Sequence, residues 1–329
     1  MSQHPTMRDV AAAAGVSLMT VSRVVNGEST VQPETAARVE RAIRQLGYQR
    51  NDTARQLRRK GQATQTLGLV VDDLANPFFA ALASAVEDVA RQRQYIVLIG
   101  SSNSDLRRER ELVAAFCARR VDGLVIVPAA GSHRFLREYL AAGTKVVCVD
   151  RRADGLDTDR VVVDNRLGAV AAVSRLLDDG HERIAYLGDH RDIWTVQERY
   201  AGYAQAMAAR GVPLVPSLIR HGLKTRQEAA AAAAALVRRK HPPTAVFASN
   251  DVMTVGTVDG LYGGPKPPIT IVGFDDFALA DKLSPPVTVL AQDPAAIGAT
   301  AAQLLFSRIG GDTSPAREVV LATRLMVRT

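Results

Sequence analysis

Apolar side chains recur at helical spacing in three short runs over residues 1–47, and from residue 67 onward brief apolar runs alternate with amphipathic ones. In the first run Val10, Ala11 and Ala14 share one face. Thr6 is placed to cap it, Asp9 stands at the third helical position as a capping-box acid, and Gly15 stops it. Ser17 caps a second helix that runs to about Asn26-Gly27. Pro33 suits the first position of a third, whose predicted inward face is Ala36, Val39, Ile43 and Leu46, with Gly47 as its stop. Helix, tight glycine-containing turn, helix is the helix-turn-helix pattern.

The later apolar runs predict strands at Leu67–Val71, Tyr95–Gly100, Gly123–Val127, Lys145–Asp150, Arg160–Asp164, Arg183–Leu187, Ala245–Ala248, Thr270–Phe274 and Val287–Leu290. They are short, rich in Val and Ile, and almost unbroken in apolar character, as strands buried on both faces of a parallel sheet are. So many units over this length suit an α/β region of two doubly wound lobes better than one. The run Ala229–Ala235 reads as a helix interior. Residues 48–66 differ: Asn51 can cap a short segment running into Arg58-Arg59-Lys60, with too little apolar surface to stand alone. The expected division is therefore an all-α headpiece with a conditional helix over residues 1–61, and an α/β domain of two lobes over residues 62–329.

Composition narrows the setting. The 329 residues are 47% hydrophobic and 23% charged, ordinary for a globular protein. No run reaches the about 18 apolar residues of a membrane span. The opening MSQHPTMRDV has no apolar core of a signal peptide. Cys117 and Cys148 are too few and too far apart for a disulfide framework or a metal knuckle. The expectation is a cytoplasmic protein with no membrane association and no cofactor. The net charge of +7 is uneven: residues 1–60 hold ten basic and five acidic side chains, the remaining residues 31 and 29. A basic head on a near-neutral body points to a polyanion partner for the head.

A second helix entering the major groove presents its N-terminal side chains to base edges. Here those are Leu18, Met19 and, one turn on, Ser22 and Arg23. Arg23 can donate two hydrogen bonds to guanine, whereas Leu18 and Met19 offer only apolar contact, for instance with a thymine methyl. Thr6, Ser17, Thr20 and Asn26 complete the candidate DNA-contacting set of the three helices.

These residues carry a family resemblance. "DVAAAAGVS", "TVSRVVNG", "ETAARVERAIRQLGYQRN" and "ARQL" resemble the lactose-repressor (LacI) family of bacterial regulators in order and spacing. The likeness continues through "LGLVVDDLANPFFAAL", "VVVDNRLGA", "ERYAGYAQAMAARG", "FASNDVMTVG", "IVGFDDFALA" and "PPVTVLAQD", and so covers essentially the whole chain. It implies a two-lobed, periplasmic-binding-protein-like body, a homodimer, a palindromic operator and control by a small-molecule effector, a sugar or sugar derivative. It also implies that a hinge helix forms on operator DNA, with Leu57 as the wedge in the minor groove and Asn51, Ala54, Arg55 and Arg58 beside it. An apolar wedge kinks a base step and is repaid by the added contacts. Three departures stand out. Gln32 replaces the Ser that commonly caps the third helix, the stretch between Gly256 and Ile269 is a few residues short, and Leu18-Met19 is an apolar specificity pair.

In the body, polar residues gather just after strands: Asp72, Asp73 and Asn76; Asp150 and Arg151; Asp189 and His190; Asn250 and Asp251; Asp275 and Asp276. Ligands of open α/β sheets sit outside the carboxyl ends of the strands. Carboxylates, amides and Arg suit a polyhydroxyl ligand, and Phe78, Phe79 and Trp194 can stack on a sugar face. By resemblance Arg199 and Asp251 match the family's main effector-contacting positions, with Asn76, Phe79, Arg151 and Trp194 near other pocket positions. The opposing structural reading makes several of these caps and lobe-to-lobe ties, Asp164, Asn165 and Asp275 above all. A transport binding protein would fit the body but not the basic head. An enzyme would need a nucleotide loop, nucleophile elbow or metal-ligand spacing that is not in the chain. Control by a phosphoprotein partner instead of a sugar stays open, and a ligand thermal-shift screen separates the two. A C-terminal coiled coil is not expected, because no heptad follows Ala316.

The uneven charge generates a prediction. Affinity for DNA of the chain's own promoter region should fall steeply with salt, by roughly 0.9 in log-log slope per phosphate contact. Titration at several salt concentrations reads the slope. Tight binding retained after deletion of residues 1–60 would contradict the assignment.

Overall fold

A computed structural model describes residues 5–28, 30–48, 63–262 and 269–328. The chain divides into two compact units, Met1–Ala63 and Thr64–Thr329. In the first, α1 (Met7–Ala14), α2 (Leu18–Val25) and α3 (Pro33–Leu46) enclose Val10, Val21 and Val39. The capping box forms, with the Thr6 N–H donating to Asp9 Oδ2 at 2.7 Å, and Gly15 takes the left-handed conformation at φ 61°. Ser17 Oγ accepts from the Thr20 N–H at 3.1 Å. Gln32 caps α3 with no side-chain hydrogen bond. One expectation fails: Leu46 is 38% exposed, while Ala42 is buried. Leu46 lies in the last turn of α3, which runs on beyond the small core that Val39 and Ala42 close.

The second unit opens where the Thr64 and Gln65 N–H groups each donate to the Asp122 carboxylate at 2.8 Å. Its strands are β1 (Thr66–Val71), β2 (Ile96–Ser101), β3 (Gly123–Ile126), β4 (Lys145–Val149), β5 (Asp159–Val163), β6 (Ile184–Leu187), β7 (Ile219–Arg220), β8 (Ala245–Ala248), β9 (Thr270–Phe274), β10 (Thr288–Ala291), β11 (Glu318–Leu321) and β12 (Arg324–Met326). The helices are α4 (Pro77–Gln92), α5 (Leu106–Ala118), α6 (Leu136–Ala141), α7 (Asn165–Asp178), α8 (Trp194–Ala209), α9 (Arg226–Val237), α10 (Asp251–Leu261) and α11 (Pro294–Ile309). All nine predicted strands are present within a residue at either end. The three unpredicted ones lie at sheet edges: β7 has two residues, and β11 and β12 are partly exposed.

The two sheets have the same plan, β11-β5-β4-β3-β1-β2 and β12-β10-β9-β8-β6-β7. All pairings are parallel except β10 with β12. Each lobe's strand order therefore reverses at one switch point, between β1 and β3 in one and between β6 and β8 in the other, and there a crevice opens at the carboxyl ends. The chain crosses between lobes three times: at Asp164 after β5, at Gln292-Asp293 after β10, and between β11 and β12. Asp164 Oδ1 accepts from the Thr323 N–H at 2.8 Å, tying the first crossing to the third. Helices pair closely through glycine. A Cβ on Gly202 of α8 would collide with the Arg166 carbonyl oxygen of α7, and one on Gly298 of α11 with that of Leu82 in α4. No helix among the described residues is long and apolar enough to cross a membrane.

Candidate functional site

Two surfaces bear on function, one in each unit. On the headpiece the glycine turn after α1 and the Ser17 cap set the start of α2. There Leu18 and Met19 stand 42% and 65% exposed, far from the usual fate of large apolar side chains. Arg23 and Asn26 are exposed further along, and Thr20 and Ser22 are half-buried. Arg23 lies 3.9 Å from Glu28, a surface pair too weak to hold it from a base. Thr6 serves the capping box, where its hydroxyl donates to Asp9 at 2.7 Å. The hinge candidates Asn51, Ala54, Arg55, Leu57 and Arg58 lie outside the described residues.

In the larger unit a cleft of about 480 Å³ lies between the lobes. Its floor is Arg199 of α8, 4% exposed. Its Nε donates to Asn165 Oδ1 at 2.7 Å, and its Nη1 donates to the Ser249 carbonyl at 2.7 Å and to Asp275 at 3.5 Å. The guanidinium stacks 3.6 Å over the Phe274 ring. Asp275 in turn accepts from Gln292 Nε2. Across the cleft, buried Arg151 donates to Asp72 at 2.6 Å and lies 3.2 Å from Asp150. Asp150 and Asp275 end the equivalent strands β4 and β9, and both sit at positive φ, 66° and 70°.

The one direct tie between candidate residues of opposite lobes joins Asn76, which caps α4, to Asp251, the first residue of α10. Asn76 Nδ2 donates to Asp251 Oδ1 at 3.2 Å, while Asn76 Oδ1 accepts from the Phe78 N–H. The strands β6 and β8 pair in parallel, which brings Arg199 and Asp251 to one crevice. They do not pair with each other: Arg199 takes Asp275 and Asp251 takes Asn76. Phe79 and Arg151 also line the cleft. Trp194 does not. Its ring lies under the Arg152 guanidinium, 5.1 Å away, where stacking on a sugar would have placed it in the cleft wall. The structure adds Gln292 and Lys224. Gln292 follows β10 and would have been found by the same polar-after-strand rule. Lys224 follows β7, which is too short to be read.

Burial raises the carboxyl pKa of Asp150, Asp189 and Asp251. Asp275 is pushed up to about 6, chiefly by burial and against the pull of Arg199. No cluster among the described residues has the makings of a metal site.

A helix-turn-helix unit joined in one chain to a two-lobed α/β unit with a polar cleft defines the class of ligand-controlled DNA-binding regulators. Comparison with known proteins specifies it. Residues 6–51 match the family described as bacterial regulatory proteins, lacI family, and residues 173–329 match the periplasmic binding protein-like domain. The HTH-type transcriptional regulator GalS of Salmonella typhimurium is 34% identical over 309 residues, covering 93% of this chain and 90% of the relative. A transcriptional regulator CelR–cellobiose complex shares the fold at TM-score 0.72 and 32% identity, over 98% of this chain and 99% of that one. The Lac repressor dimer bound to operator and an anti-inducer does so at TM-score 0.84 and 25% identity, over 99% and 98%. The chain belongs to the LacI family and is a DNA-binding transcriptional regulator.

Asp275 supplies a pH test. Its folded pKa lies above the ordinary carboxylate value, so between about pH 4 and pH 6 the folded protein holds a proton that the unfolded chain has released. The stability this gives is complete below pH 4 and is lost as pH rises through 6. Wild type should therefore lose stability relative to Asp275→Asn between pH 4.5 and pH 7, read from denaturation midpoints. A difference that moves the other way would contradict the assignment.

Proposed function

We propose that this regulator is a homodimeric, cytoplasmic repressor that binds a palindromic operator through residues 1–61, and that a sugar held in the cleft of residues 62–329 controls it. The observation that carries the reading is the cleft itself. Two lobes of one plan present carboxylates, amides and two buried arginines from the carboxyl ends of their strands, which is where α/β sheets bind ligands. The exposed Leu18, Met19 and Arg23 at the start and middle of α2 are the base-reading candidates. The relative solved with cellobiose and the relative solved as a dimer on operator support the same reading for this chain.

Arg199 and Asp251 hold the effector from one lobe, with Asn76, Phe79 and Arg151 from the other. A ligand bridging both favours closure, since it binds the closed arrangement better than the open one. The signal leaves the cleft through Arg199. It is bonded to Asn165 at the first crossing directly, and to Gln292 at the second through Asp275.

The test is operator release. With its own promoter DNA as probe, the purified protein should change affinity between about 5-fold and 150-fold on adding one member of a panel containing cellobiose, ribose and galactose. Asp251→Asn should fold and bind DNA as wild type does, and lose that response. A folded Asp251→Asn that still responds normally would overturn the assignment of Asp251. DNA affinity unmoved by every sugar would overturn sugar control.

A further inference from the structure

The cleft is lined by seven aspartates, against two arginines and one lysine. Both arginines are already partly engaged by the protein, Arg199 through Nε and Nη1. Arg151 is held by Asp72 and Asp150, and Arg199 by Asn165, the Ser249 carbonyl and Asp275. Several acceptors, by contrast, have no basic side chain in direct contact among the described residues, although Arg151 and Arg199 act on Asp189 and Asp251 from further away. Among the described residues Asp189 accepts only from the neighbouring His190 N–H, at 2.6 Å. Asp251 accepts from the Asn76 amide and the Val252 N–H. Gln292 Oε1 is buried with no hydrogen-bond partner among the described residues. Lys224 is exposed at the rim.

An incoming ligand thus meets a surplus of acceptors and of negative charge. Hydroxyl groups donate to such atoms without any change in charge. An ammonium group gains Coulomb energy there. A phosphate or carboxylate has to leave water beside seven aspartates that Arg151, Arg199 and Lys224 offset only in part, and a like charge in a partly buried site is strongly disfavoured. Burial already raises the pKa of Asp189 and Asp251, so holding either charged is costly even before an anion arrives.

We propose that the effector is a polyhydroxyl compound without an anionic group, uncharged or amino-bearing, and that the cleft rejects its phosphate esters and sugar acids. The inference rests on sugar control as proposed above and adds the charge class that the same site accepts.

The experiment is a melting-temperature screen of the full-length protein with matched sets: glucose, glucosamine, glucose 6-phosphate and glucuronate, with the corresponding ribose and galactose derivatives and with cellobiose. Each hit is followed by titration of operator release. Stabilisation confined to free and amino sugars is expected. A phosphate ester or uronate that binds more tightly than its uncharged parent and releases the operator would overturn this inference and leave sugar control standing. Silence from the whole panel would overturn both. Asp189→Lys, which reverses the charge of one of these aspartates, should improve affinity for the phosphate ester of the hit by about tenfold or more. No improvement in a folded variant would also contradict the proposal.

Discussion

The effector unit is organised around one buried guanidinium. Arg199 stands almost wholly out of water, and burying an unpaired charge there would be prohibitive. It is tolerated because Asn165, the Ser249 carbonyl, Asp275 and the Phe274 ring surround it from the start of α7 and the ends of β8 and β9. Truncating one partner of such a set usually costs about 3–5 kcal/mol, since the others stay buried without it. Arg199 therefore cannot be a ligand contact alone. It fixes where α8, the start of α7 and the ends of β8 and β9 meet, and that junction is the cleft floor.

The same device appears twice because the lobes share one strand order. In each, an aspartate ends the equivalent strand, β4 or β9, in the left-handed conformation beside an arginine. That conformation costs of order 1–3 kcal/mol for a residue with a side chain and persists where the surroundings hold it. Asp tolerates it better than most. Each carboxylate pairs there with an arginine of the cleft lining. Between the halves, Asn76 reaches Asp251, so a helix cap of one lobe is also a contact with the other.

Much of this was legible in the chain. The caps at Thr6 and Ser17 and the nine predicted strands follow from local pattern, because they depend on neighbours a few residues away. Placing Arg199 and Asp251 in one crevice needed the family resemblance and the rule for strand ends. What local pattern could not give was partner choice. Asp275 looked like a structural tie and proves to be both a tie and part of the cleft lining. Trp194 looked like a stacking platform, but its neighbour in space is Arg152, which no periodicity reveals. The strands β11 and β12 pair with β5 and β10, far away in sequence, so their identity rests on contacts the chain order hides.

In this account the crossings between lobes sense the cleft through Arg199, so occupancy of the cleft and affinity for operator are linked and the linkage is reciprocal. Asn165 is the link that can be cut without removing a cleft-lining side chain, since it contacts Arg199 from the first crossing and does not line the cleft. The decisive measurement is the ratio of operator affinities with and without the releasing sugar in Asn165→Ala, alongside that sugar's own affinity. The account predicts that the sugar still binds, within a few-fold of wild type, and that the ratio collapses toward one. A wild-type ratio in a variant that folds and binds sugar normally would contradict it.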